Sequence, residues 1–436
     1  MVFVFELVMK RWSLFRLVFL LALGGALPGR AQSRAKHWDG PGNPLKRLLR
    51  TDSARFGSVL RHPDAYRVQI LYTRIRRDAR GRPHFRRYGY RLRPREYFYP
   101  ASTVKLPTAV VALAKLRGLR PAGPDSLTRE TPLRIDSAFA GQTPVLVDRS
   151  APLRQPTIGN YIRKVLLVSD NDAFNRLYEF VGQGPLNDQL RQHGLGRTRI
   201  IHRLAVGDAE PASRHTNPFA FFADTTAREP FYHQPAAFNA GPLPRLRATG
   251  YRLGRAHLAG GQRVAEPLDF SAKNAFPLSD QQRVLRAILF PAAVPRRQRF
   301  GALRPADYAF LRQYLWLPPG QSNFPRYDPV AYPGAYAKFL LAGGAGQLPA
   351  GVRSYNKIGQ AYGFLIDNAY LTNEAAGVEF LLSAVVYVNA NGVLNDDQYE
   401  YDTVGLPFLR ELGQAVYEQE LARASRRSRR ASPVRP

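Results

Sequence analysis

The chain has 436 residues, 45% of them hydrophobic and 22% charged, which is enough to bury a sizeable core in one or two domains. It contains no cysteine, which excludes disulfides, a thiol nucleophile, a zinc–cysteine site and a lipid-modified cysteine anchor. The formal net charge is +30, and only nine of the 63 basic residues are lysine. An arginine-rich surface of this kind favours anionic partners such as an envelope surface, but no nucleic-acid-binding motif accompanies it, so no specific nucleic acid is expected.

Taken in order, residues 1–31 read as a secretory signal peptide. Lys10 and Arg11 form a basic start, residues 17–27 a short apolar run, and Gly29 and Ala31 supply small residues for cleavage. Arg16 and the shortness of the run argue against a spanning helix, so a periplasmic or secreted protein is expected. A polar segment follows over residues 32–60. Residues 66–75 and 84–92 read as the two strands of a hairpin around the Asp78 to Pro83 turn. An aromatic run then stops at Pro100, and an Ala/Val/Leu-rich helix pattern starts at about Ser102. Helices are expected over residues 157–167 and 172–181, with long ordered loops over 205–270. Further helices are expected over 278–289 and 304–315, with a short helical stretch at 337–341. Residues 354–358, 363–371 and 378–388 read as successive strands, a final helix spans 406–424, and the basic tail 425–436 reads as disordered.

The simplest arrangement is α+β. The early hairpin joins the late strands in one antiparallel sheet flanked by helices, with an all-helical lobe inserted in the middle. The sheet lobe would take residues 61–116 and 351–424, and the helical lobe with its insertion 117–350. A site at the junction of two lobes is a usual place for a small ligand.

Three short motifs carry chemistry. Ser102 opens a helix, where free backbone N–H groups and the positive dipole end favour a developing negative charge. Lys105 follows one turn later on the same face, and a partly desolvated lysine can accept the serine's proton. An N-cap serine followed by a surface lysine has the same spelling. Ser169-Asp170-Asn171 stands at the joint of two helices, where a plain capping turn would also fit. Lys357-Ile358-Gly359-Gln360 lies on an expected strand.

In this order and context, S-x-x-K, S-D-N and K-x-G form a recurring set. The chain resembles the class A β-lactamase-like members of the penicillin-recognising serine hydrolases, over roughly residues 66–420. Phe98 before the serine, and Ala173 and Asn175 after the triplet, extend the likeness. The resemblance implies an acyl-serine mechanism on a β-lactam or related amide, with Ser102 as nucleophile and Lys105 as its base. The backbone amides of Ser102 and Gln360 would form the oxyanion hole. Ser169 would relay a proton to the leaving nitrogen, and Lys357 would hold the electrostatics. Asn171 and Gly359 would meet the substrate, and Asp170 would brace the turn. No metal or cofactor is implied, and a monomer is expected. A D-alanyl-D-alanine carboxypeptidase-like peptidase acting on peptidoglycan-type peptides and a non-catalytic envelope-ligand binding protein are the alternatives.

Two positions depart from the family pattern. Ile358 stands where a Thr or Ser hydroxyl would bind a substrate carboxylate. For deacylation, Glu210 followed by Pro211 is the best candidate for the water-activating base, but Arg214 replaces the expected asparagine. Glu210 reads equally well as an exposed carboxylate paired with Arg203 or Arg214. The eight histidines show no H-E-x-x-H spacing, and no G-x-S-x-G elbow occurs.

Overall fold

The computed structural model describes residues 42–119, 127–207 and 210–431. The expected signal peptide and the last five residues of the tail lie outside them. Among the described residues no helix is long and apolar enough to cross a membrane.

Strands β1 (Gln69–Arg77), β2 (Pro83–Tyr90), β3 (Val352–Ala361), β4 (Phe364–Asn373) and β5 (Val378–Tyr387) form one antiparallel sheet in the order β3-β4-β5-β1-β2. The hairpin turn between β1 and β2 is closed by the Asp78 carboxylate, which accepts from the amides of Arg80 and Arg82 at 3.0 and 2.9 Å. The late strands join the early hairpin where β5 pairs with β1, with Gln69 opposite Val385. Successive side chains point to opposite faces. Leu71, Ile75, Leu381 and Val385 therefore enter one core, and Ile70, Tyr72, Leu382 and Ala384 enter the other. Because both of its faces are covered, the middle of β5, from Phe380 to Val386, reads as a nearly continuous apolar run.

The helices that matter for the site are α1 (Pro44–Thr51), α2 (Lys105–Gly118), α3 (Ile158–Leu167), α4 (Asn171–Val181), α5 (Leu278–Leu289), α6 (Pro305–Trp316) and α7 (Leu406–Ala431). Helix α2 is buried at every residue from Lys105 to Leu113, which is why it is built from Ala, Val and Leu rather than an amphipathic pattern. On the opposite face of the sheet, Leu409, Leu412 and Val416 of α7 share a core with Leu45 and Leu49 of α1. The fold is α+β, as expected.

Several elements differ from the sequence reading. The middle of the chain, expected to be all-helical, also holds short strands. Leu133–Ile135, Phe219–Phe221 and Tyr232–Gln234 make one small sheet, and Ala256–Ala259, Gln262–Val264 and Val393–Leu394 another. Strands this short show no usable periodicity. Helix α5 does not stand apart from the sheet. Its Gln282 amide donates to Leu71 O at 3.1 Å and to Ser383 Oγ at 2.9 Å. Residues 337–341 form no helix; the amides of Phe339 and Leu340 donate instead to the Asp367 carboxylate at 3.1 and 3.0 Å. The segment 32–60, read as polar and without elements, contains α1, whose first amides are capped by Asn43. Its Arg55 reaches Glu411 and Glu418 of α7 at 2.6 and 2.8 Å. Finally, α7 continues through residues 425–431, which were expected to be disordered. Arginine is a good helix former, and extending a helix that is already docked avoids the cost of nucleation. A helix at Gln183–Gln192 was not anticipated.

Candidate active site

Ser102 lies in a 3-10 turn, Ala101–Val104, that runs directly into α2. The turn is stapled by Pro100 O, which accepts from the Thr103 amide at 3.1 Å and from the Thr103 hydroxyl at 2.7 Å. Ala101 is held at φ 46°, a left-handed conformation that costs a non-glycine residue roughly 1 kcal/mol. Ser169 has φ 62°, so residues on both sides of the site carry such backbone.

Lys105 is fully buried at the start of α2. Its ammonium donates to Ser169 O, to Ser169 Oγ at 3.2 Å and to Asn171 Oδ1 at 2.7 Å. Burial lowers its pKa to about 7, with the carboxylate of Asp170 working in the opposite direction. Lys357 reaches the same serine from β3, donating to Ser169 Oγ at 2.8 Å and to Ile358 O at 3.1 Å. Burial and the nearby Lys105 charge hold Lys357 well below the usual lysine range, while Asp367 opposes them. One hydroxyl thus lies within hydrogen-bond reach of two lysine nitrogens. Asp170 caps α4 by accepting from the Ala173 amide at 2.8 Å.

Strand β3 is one edge of the sheet, and it passes close to the nucleophile's turn. Gly359 makes that approach possible, because a Cβ there would sit 2.7 Å from Pro100 O and 3.1 Å from Thr103 Cγ2. Its position is therefore one of packing against the Ser102 turn. Ile358 is buried among the apolar residues of the far face, such as Leu365 and Leu409. Gln360 is exposed and, with Ser102 and Asn171, lines a cavity of about 580 Å³. A larger hollow of about 860 Å³ beside α1 is lined by Lys46, Arg47, Arg50 and apolar residues, and none of the three motifs contributes to it.

Glu210 is not among the described residues that line the cavity. Its carboxylate is half exposed and pairs with Arg214 at 3.2 Å. Arg203 is committed to the buried Glu179 at 2.8 Å. Leu204 and Ala205 line the cavity that Ser102 also lines. Asn175 holds this wall through both ends of its side-chain amide, donating to Leu204 O at 3.0 Å and accepting from Leu204 N at 2.9 Å. Sequence reasoning missed Leu204, because nothing local to it signals that Asn175 reaches it across 29 residues. It also missed the aromatic end of the cavity, Tyr362, Tyr399 and Tyr401, and the carboxylate Asp397 among them. Tyr362 lies two residues beyond Gln360, the end of the third motif, which was the one available signal.

Residues 86–229 match the family described as the β-lactamase enzyme family. Over that stretch the chain is β-lactamase-like. The match takes in Ser102, Lys105 and the Ser169 triplet, and it ends before Lys357. This β-lactamase-like chain is also similar to solved structures. One is a β-lactamase from Desulfarculus baarsii DSM 2075, at 18% identity and a TM-score of 0.44, covering 85% of this chain and 98% of that one. Another is a β-lactamase from Xanthomonas campestris pv. campestris str. ATCC 33913, at 17% identity and a TM-score of 0.45, covering 85% and 98%. A third is a class A β-lactamase from Clostridium kluyveri DSM 555, at 13% identity and a TM-score of 0.44, covering 84% and 99%. No curated protein matches the chain in sequence.

Proposed function

We propose that this protein is an exported serine hydrolase that cleaves an amide through an acyl-serine intermediate, with β-lactams or peptidoglycan-type peptides as substrates. The observation that carries this reading is the Ser169 hydroxyl held between the Lys105 and Lys357 nitrogens at 3.2 and 2.8 Å, next to the helix that begins at Ser102. With a pKa near 7, Lys105 is partly neutral at neutral pH and takes the Ser102 proton as Oγ bonds to the carbonyl carbon. The oxyanion accepts from the backbone amides of Ser102 and Gln360. As the C–N bond breaks, Ser169 gives its proton to the leaving nitrogen and is resupplied from the lysines. The Asn171 side chain, with Oδ1 already occupied by Lys105, keeps its NH₂ for the substrate's amide arm. An anionic part of the substrate placed beside Lys357 favours its protonated form and is held by it.

A specific observation favours slow release of the acyl group. The cavity shared with Ser102 is lined by Leu204 and Ala205 and not by Glu210, which is engaged with Arg214. Water activation by Glu210 is therefore disfavoured, and a penicillin-binding-protein-like peptidase is the second reading. The basic and apolar runs within residues 1–31 support export; N-terminal sequencing of protein recovered outside the cytoplasm should begin near residue 32, and a retained Met1 would refute export. The basic surface suits docking to anionic envelope polymers, and co-sedimentation with isolated envelopes that does not weaken with added salt would count against it.

The deciding experiment is intact-protein mass spectrometry after mixing with a chromogenic cephalosporin, with colour change followed in parallel. A persistent adduct on Ser102 is expected. Rapid turnover with no lasting adduct would replace the slow-release reading with an efficient β-lactamase. An adduct on another residue would remove Ser102 as nucleophile.

A further inference from the structure

The cleft has opposite character at its two ends. Behind one end, next to the cavity-lining Asn171, the buried Lys357 and Lys105 converge on Ser169. Strand β3 then runs past Gln360 to Ala361, roughly 13 Å from Lys357 at about 3.3 Å per residue, and Tyr362 follows in the turn. At that far end the cavity wall is made by Tyr362, Tyr399, Tyr401 and Asp397. The Tyr399 and Tyr401 rings lie 5.2 Å apart, and both are anchored by backbone. Tyr401 Oη accepts from the Gly363 amide at 2.8 Å, and Tyr399 Oη from the Asn395 amide at 2.9 Å. Tyr362 is locked in turn against Tyr99 and Phe270, edge to face, at 4.9 and 5.2 Å.

Asp397 stands in this frame with φ 56° and an exposed side chain, and it makes no ion pair or hydrogen bond among the described residues. The chain has 63 basic against 33 acidic residues. Some loop carboxylates take an arginine, as Glu210 takes Arg214 and Asp64 takes Arg91 and Arg93, while others, such as Asp224 and Asp328, are used within their own turns. A carboxylate left unpaired in the wall of the nucleophile's own cavity is a free acceptor for a cation. Tyrosine rings fixed beside it add their negative faces to the same attraction.

We propose that this end of the cleft binds a cationic amine carried on the acyl side of the substrate, with Asp397 as the specificity-determining residue. The inference rests on the acyl-serine reading for its direction. Ser169 serves the leaving nitrogen at the lysine end, so the acyl arm extends the other way, towards Asp397. The favoured substrate is then dipolar, with an anionic group near Lys357, the scissile carbonyl at Ser102 and an ammonium among the tyrosines.

Ampicillin and benzylpenicillin differ only in an α-amino group on the acyl arm, so they isolate this contact. Second-order acylation constants for both are measured at about pH 6.5, where the amine is cationic. An exposed ion pair assisted by aromatic faces is expected to favour the amine about fivefold, and Asp397→Asn should erase that ratio. A ratio unchanged by Asp397→Asn overturns the proposal. The same pair is titrated calorimetrically into Ser102→Ala and into the Ser102→Ala, Asp397→Asn double variant, which needs no acylation. An Asp397-dependent preference there, together with no adduct on the parent protein, would refute the acyl-serine reading and leave the cationic subsite standing. Where no adduct forms, absence of that preference in the calorimetry refutes the subsite.

Discussion

The pH dependence of acylation follows from how Lys105 is buried. Its pKa of about 7 arises first from loss of solvent, with Asp170 pulling upward. Only the neutral amine can take the Ser102 proton. The neutral fraction of a group with that pKa rises from about one in eleven at pH 6 to about ten in eleven at pH 8. The second-order rate of acylation by a chromogenic cephalosporin should therefore climb about tenfold over that interval and then level off. Asp170→Asn tests the cause. Asparagine keeps an oxygen to cap the Ala173 amide, so α4 stays in place, but it removes the charge that favours the ammonium. The midpoint should move to lower pH, read by stopped-flow acylation in parallel with the parent. A flat profile between pH 6 and 8, or a midpoint that Asp170→Asn leaves in place or raises, would refute the assignment of Lys105 as the base.

The same shift predicts a stability cost. Between about pH 7 and 10.5 the unfolded chain holds a proton on Lys105 that the folded chain releases, so stability should rise with pH through that window. The full effect of a shift this large is on the order of 5 kcal/mol, and below pH 7 the whole penalty is present. Lys105→Met should thus abolish acylation while stabilising the fold by about 1–3 kcal/mol at pH 7, measured by urea unfolding; destabilisation would contradict the account. Gly359→Ala should push β3 away from Pro100, costing about 1–3 kcal/mol and at least about tenfold in acylation rate, because the neighbouring Gln360 amide moves with it. Normal acylation by that variant would show that the close approach is dispensable. Glu210→Gln should leave the lifetime of the Ser102 adduct unchanged, since its carboxylate is held by Arg214; a longer-lived adduct in mass spectra would restore it as the water-activating base.

Those predictions draw on two kinds of information. Local chemistry along the chain was enough to place α5 at Leu278–Leu289, to start a helix at the Ser102 turn and to pick out the late strands. Each depends on periodicity or on a capping or turn residue within a few positions. The spacing of Ser102 and Lys105, and the presence of the Ser169 triplet and Lys357-x-Gly359, were legible for the same reason. The short strands of the middle and the extension of α7 to Ala431 were not, because two to four residues carry no period and a docked helix recruits residues that would not fold alone.

By itself, then, the sequence determined which side chains are available for acyl-serine chemistry and in what order they come. Only the tertiary structure decided what they meet. Ser169 receives Lys105 from 64 residues away and Lys357 from 188. That convergence requires β5 to pair with β1 and α2 to be enclosed on all sides. Burial, which no single residue specifies, is what makes Lys105 weakly basic enough to serve as a base. The same long-range packing brought Leu204 and Asp397 into the cavity wall and left Glu210 with Arg214. Loop carboxylates look alike in a sequence, because the distances and desolvation that separate their roles are properties of the folded chain.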